Sequence, residues 1–203
     1  MSTLTPQKNV NRSAPLKEPP PRDRILSAAH DLFYRHGIHV VSVDQIAEAA
    51  SSNKMTLYRH FKSKDELVAE CARACAAEWE ADWQANVAQY PGNPLGALRN
   101  WCGEIAECMT SEERGCFMAN AAVELAQADH PARRVIEGSK RAHREALVSL
   151  ARDAGFTEPE KLGDAIFMTM EGARICTQSV CEANPADRVY GMLDALITTA
   201  KRA

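Results

Sequence analysis

Three observations predict an all-α protein of roughly nine helices. Apolar residues recur at three- and four-residue spacing along most of the chain, prolines and small polar clusters punctuate that periodicity, and neither βαβ alternation nor a glycine-rich phosphate loop occurs. The 203 residues suffice for one ordinary core or two small ones, and 45% hydrophobic with 25% charged residues is the balance of a soluble globular protein. No apolar run is long enough to cross a bilayer, and the Pro-rich N-terminus lacks a signal-peptide core, so a cytoplasmic protein without a membrane partner is expected. Seven cysteines with no CxxC pair suit free thiols in a reducing compartment better than a disulfide framework.

Residues 1–21 carry Pro6, Pro15, Pro19, Pro20 and Pro21 with little apolar periodicity, and a disordered tail is expected there. Lys8, Arg12 and Lys17 give it the option of following a phosphate backbone; the alternative is an inert leader. Arg22 to Arg35 reads as the first helix, with Ile25, Ala28, Ala29, Leu32 and Phe33 inside and Gly37 as its stop. His30 and His36 show no ligand partner in the sequence.

Ser42 is placed to cap a helix from Val43 to Ala50. Ser51-Ser52-Asn53 breaks it, and Lys54 to Phe61 resumes as two turns with Leu57 and Phe61 inward. The outer face then holds Lys54, Met55, Thr56, Tyr58, Arg59 and His60, a mixture of cations, hydroxyls and an aromatic suited to phosphates and base edges in a DNA groove. Ser63 to Glu66 forms a capping box that starts a long helix to about Ala88, with Leu67, Ala74, Trp79 and Trp83 inward. Charge agrees with a polyanion at this end: residues 1–64 hold 10 Lys/Arg against 5 Asp/Glu, or +5, whereas residues 65–203 hold 14 against 22, or −8.

TLYRHFKSKDEL, with Arg24-Ile25-Leu26, Ala28-Ala29, Leu32-Phe33, His36-Gly37 and Ile46-Ala47 before it, resembles the DNA-binding segment of the TetR (tetracycline-repressor) family of bacterial regulators over about residues 22–70. The chain departs from that pattern at Ser51, Ser52 and Met55. Ser51 stands where glycine is usual, so it is expected to adopt a left-handed backbone. The resemblance implies a helix-turn-helix DNA-binding domain, residues 22–67, followed by a helical ligand-binding and dimerisation domain, residues 68–203. DNA contacts are expected from Ser42, Lys54, Met55, Thr56, Tyr58, Arg59, His60 and Lys64.

Beyond the break at Tyr90-Pro91-Gly92-Asn93-Pro94, helices are expected over about 95–110, 116–128, 131–154, 159–183 and 185–201. Met, Phe and Trp with a few polar groups between helices suit a small, mainly apolar effector. Candidate ligand residues are Trp101, Ile105, Met109, Phe117, Asn120, Glu124, Phe167, Met170 and Arg174; the alternative for each is plain core. The run from Gly115 to Leu125 resembles the ligand domain of one TetR subgroup, which implies that Asn120 and Glu124 border the effector cavity. Ile166, Ala173, Thr177, Val189, Met192, Leu193 and Leu196 stripe the last two helices and suit a four-helix homodimer interface, as the family implies; the alternative is that they close the chain's own core.

An enzyme is not expected, since no nucleophile elbow, HExxH or carboxylate pair flanked by glycines appears, and neither catalytic residues, metal ligands nor a cofactor are assigned. The function expected is a dimeric, ligand-responsive transcriptional regulator, a repressor, on a double-stranded palindromic operator. The competing reading is a DNA-binding regulator that senses oxidants or metal through Cys71 and Cys75, four apart but without an accompanying histidine.

Overall fold

The computed structural model describes residues 18–111, 114–179 and 185–203; the tail expected over residues 1–21 lies outside them up to residue 17. Among the described residues the chain forms nine α-helices and no strand beyond one isolated bridge: α1 Pro21–His36, α2 Val43–Ala49, α3 Lys54–His60, α4 Lys64–Gln89, α5 Pro94–Ser111, α6 Phe117–Glu124, α7 Pro131–Asp153, α8 Pro159–Ser179 and α9 Pro185–Thr199. No described helix is long and apolar enough to cross a membrane.

Local chemistry sets most boundaries. Ser42 caps α2 in a complete capping box with Gln45, while Asn53 caps α3 by accepting from the Thr56 amide at 2.9 Å. Ser63 caps α4 through the Glu66 amide, but the box expected there is only half made. The Glu66 carboxylate turns instead to the Arg73 guanidinium, 3.1 Å away. Helix α6 stops at Glu124, earlier than its composition suggests, because Arg133 of α7 donates to the carbonyls of Ala122 and Leu125, each at 3.0 Å. Helix α9 ends at Thr199 because the last residues turn back on the α7–α8 loop, with Thr157 N bonded to Lys201 O and Ala203 N to Gly155 O.

Two apolar cores result. The first packs Ile25, Phe33, Ile46, Leu57, Phe61 and Leu67 together, and it also takes Phe117, Met118, Leu125 and Ile136 from α6 and α7. Packing therefore crosses the boundary expected at residue 67, which falls inside the continuous α4. The second core joins Trp83, Trp101, Leu147, Ile166, Met170, Leu193 and Ile197 from α4, α5, α7, α8 and α9.

Between α2 and α3 the chain turns at Ser51, whose φ of 47° is the one positive value among the described non-glycine residues. Arg24 steadies this turn from α1, donating to the carbonyls of Ala50 at 3.1 Å and Ser51 at 3.4 Å. A side chain in the left-handed region carries strain that glycine escapes. Ser51→Gly is expected to raise unfolding stability by up to about 1 kcal/mol in a urea titration.

Candidate functional site

Helix α3 is held from behind. Leu57 is 0% exposed and Phe61, the residue that ends the helix, is 1% exposed; the Arg22 guanidinium lies 5.2 Å from the centre of the Phe61 ring. Those anchors turn Lys54, Met55, Tyr58, Arg59 and His60 outward, with Thr56 half-buried beside them. Met55 is 85% exposed, which no packing role explains. Lys54 meets Asp44 at 3.2 Å, a solvated pair that a phosphate can displace at little cost. Ser42 has its hydroxyl oxygen engaged in the α2 cap, and its hydroxyl proton stays free to donate. Lys64 differs from the rest: its ammonium perches 5.9 Å from the centre of the Phe33 ring, and partial burial lowers its pKa against the raising pull of Asp65 and Glu124.

A convex seven-residue helix with two buried anchors and an outer row of cations, hydroxyls and a thioether matches the requirements of major-groove recognition. The family model for bacterial regulatory proteins, tetR family, matches residues 25–71, which spans this helix and its supports. Residues 25–71 match the TetR-family domain. Among curated relatives, the HTH-type transcriptional regulator AcrR of Shigella flexneri is 34% identical over 96 residues, 46% of this chain and 43% of its own length. The HTH-type transcriptional repressor ComR of Escherichia coli is 31% identical over 49% of this chain and 48% of its own. The match thus spans less than half the length of these curated relatives. A solved TetR-family transcriptional regulator from Streptomyces coelicolor superposes with a TM-score of 0.82 at 24% identity, covering 88% of this chain and 94% of that one, and so shares the whole fold. The relatives are named as regulators, not enzymes.

Behind α3 and its supports lies a cavity of about 370 Å³ among α1, α4, α5, α6, α7 and α8. Of the residues expected to line it, Trp101, Ile105, Phe117 and Arg174 do so. Met109 and Met170 are instead buried in the second core, and Phe167 packs edge-on against His143 outside the cavity wall. Asn120 points away, donating to the Arg114 carbonyl at 2.6 Å. Glu124 also departs from what the resemblance implied. Its carboxylate accepts from the Ile38 amide at 2.6 Å and the His39 amide at 3.4 Å, which clamps the α1–α2 loop. A Cβ at Gly37 would stand a tight 3.2 Å from that carboxylate, and the φ of 89° is one that side chains rarely adopt, so position 37 favours glycine.

Sequence periodicity missed His30, Tyr34, Cys75, Lys140 and His143 as cavity residues. Trp79 was expected inward, and it lines the cavity too. His143 is buried against Trp79, with ring centres 4.6 Å apart, and desolvation, helped by Lys140 and Arg174, lowers its pKa to about 3. Lys140 donates to both Glu171 oxygens at 2.6 and 2.7 Å.

The cysteine pair also needs correction, because a histidine does accompany it: His30 Nε2 lies 3.3 Å from Cys75 Sγ. Even so, burial raises Cys71 far above the ordinary thiol range and pushes Cys75 up to about 12, so both are protonated, unreactive thiols at neutral pH. Among the described residues no cluster of three or more His, Cys, Asp or Glu side chains is placed to hold a metal ion.

Several residues expected at a dimer interface lie in the chain's own second core: Ile166 and Leu193 fully, Val189 nearly so. The stripe marked burial, and the burial is intramolecular. Ala173 and Leu196 are half-buried at its margin, Met192 is exposed, and the Thr177 side chain lies outside the described residues. Met168, Ile175 and Tyr190 are exposed apolar side chains on α8 and α9 that the sequence stripe overlooked.

Proposed function

We propose that the chain is a cytoplasmic, homodimeric transcriptional repressor that grips a palindromic operator through α3 and lets go when a small, mainly apolar effector fills the cavity behind it. The outward row on α3 carries this reading, because among the described residues no side-chain hydrogen bond or ion pair holds Met55, Tyr58, Arg59 or His60. The proposed domain division puts the reader in residues 22–67 and effector binding and pairing in residues 68–203. One reader serves one half-site, so two copies supply affinity and fix the half-site spacing. Pairing uses the outer faces of α8 and α9, where Met168 and Ile175 stand two helical turns apart and Met192 continues the apolar surface.

Helix α6 links the two halves. Phe117 at its start lines the cavity and Glu124 at its end clamps the α1–α2 loop, so an effector that displaces α6 tilts the reader. The operator-competent arrangement loses population to the extent that the effector prefers the displaced one.

Arg59→Ala is expected to weaken specific operator binding by about 1–3 kcal/mol, measured by fluorescence anisotropy on a fragment recovered from genome-wide binding-site mapping. An Arg59→Ala protein that holds that fragment as tightly as the parent, in salt-matched buffer, removes Arg59 from base readout. Absence of any preference for mapped fragments over bulk competitor removes the reading as a whole.

A further inference from the structure

The cavity wall carries a specific hydrogen-bonding demand. Among the described residues none bonds Trp79 Nε1, Trp101 Nε1 or His143 Nε2, and all three atoms are buried. Buried polar groups are almost always satisfied, and leaving one unmade is costly. Two of the three are indole N–H groups, which donate only. The third belongs to an imidazole that is neutral at any ordinary pH, so it donates or accepts with the tautomer. These groups sit together: the ring of His143 lies 4.6 Å from that of Trp79 and 6.1 Å from that of Trp101, and Trp79 and Trp101 meet edge-to-face at 6.2 Å.

Charge is distributed unevenly around them. Lys140 and Arg174 stand close enough to His143 to depress its protonation, whereas Glu78 and Asp82 are exposed side chains on the α4 wall. The inner part of the cavity therefore offers the two indole donors, with Lys140 and Arg174 beside His143 and Glu171 paired to Lys140. Aromatic faces make up much of the remaining wall, through Phe117 and the indoles themselves.

We infer that this cavity takes an aromatic ligand bearing an oxygen acceptor, a carboxylate foremost, whose oxygens accept from the Trp79 and Trp101 N–H groups beside His143 while its ring stacks among the indoles. An amine in the same place brings donors to donors and a cation toward Lys140 and Arg174. The inference rests on the cavity being the effector site proposed above.

The chain contains three tryptophans, and Trp79, Trp83 and Trp101 form one cluster, so its entire tryptophan emission reports from beside this cavity. The test titrates the full chain with 3-phenylpropionate and with 3-phenylpropylamine, reading tryptophan fluorescence. The carboxylate is expected to bind about tenfold or more tightly than the amine, and Trp101→Phe or Trp79→Phe to reduce that preference about tenfold. Because the preference is a ratio within one protein, a general loosening of the cavity by either substitution cancels. Equal or tighter binding of the amine, no fluorescence response to the carboxylate at millimolar concentration, or a preference untouched in both variants overturns the inference. Operator release is read separately by anisotropy. Carboxylate binding without release supports the ligand class and sinks the effector reading; release by ligands that show no acceptor preference does the reverse.

Discussion

Phe61→Ala is expected to destabilise the chain by about 3–5 kcal/mol and to abolish operator binding. The ring is almost wholly buried, packs in the first core with Leu57, Ile25 and Leu67, and is covered by the Arg22 guanidinium. Deleting it leaves a cavity directly beneath the last turn of α3, where the Phe61 amide bonds the Leu57 carbonyl at 2.9 Å. The outward side chains of α3 owe their direction to this anchor, so the loss reaches the reading surface even though Phe61 touches no DNA. Chemical denaturation gives the stability change. Operator anisotropy distinguishes the two kinds of damage, since Arg59→Ala weakens binding while leaving the unfolding midpoint in place. A Phe61→Ala protein with parental stability and operator affinity contradicts the anchoring of α3 described above.

How far the sequence reveals such features depends on whether their cause is local. Ser42 as a cap and Leu57 and Phe61 as anchors were legible, because each follows from spacing or backbone chemistry within a few residues, while the left-handed Ser51 was legible only through the family resemblance. The early stop of α6 was not, since the side chain that ends it, Arg133, belongs to another helix. Glu124 shows the same limit in the site itself. Its place on α6 was readable, whereas the choice between cavity and α1–α2 loop depended on amides more than eighty residues earlier. Periodicity marks a face as buried without saying what covers it, which is why Ile166, Val189 and Leu193 read as a dimer stripe and fold into their own core. The cavity suffered most, because His30, Cys75 and His143, which periodicity missed, converge from three helices.

His143 should make the chain lose stability as the pH falls below about 6.5. The imidazole is buried among Trp79, Trp101 and Phe167, and desolvation, then Lys140 and Arg174, holds its pKa near 3 in the folded protein. In the unfolded chain it returns to its ordinary value of about 6.5, so between those limits the unfolded state binds the extra proton. The sign follows: stability attributable to neutral His143 is fully present above the unfolded pKa and is lost progressively as pH falls toward the folded one. From pH 7 to pH 5 the loss amounts to about 2 kcal/mol, because each unit of pH below the unfolded pKa is worth about 1.4 kcal/mol. Carboxylates such as Glu160, whose pKa its backbone and Arg152 contacts lower, add acid sensitivity of their own, but that part is common to parent and variant. His143→Gln keeps a polar side chain and removes the titration, so the difference in unfolding free energy between parent and variant should shift by about 2 kcal/mol between pH 7 and pH 5. A difference that stays constant with pH means that the ring takes its proton in the folded state as easily as in the unfolded one, which contradicts its burial among Trp79, Trp101 and Phe167.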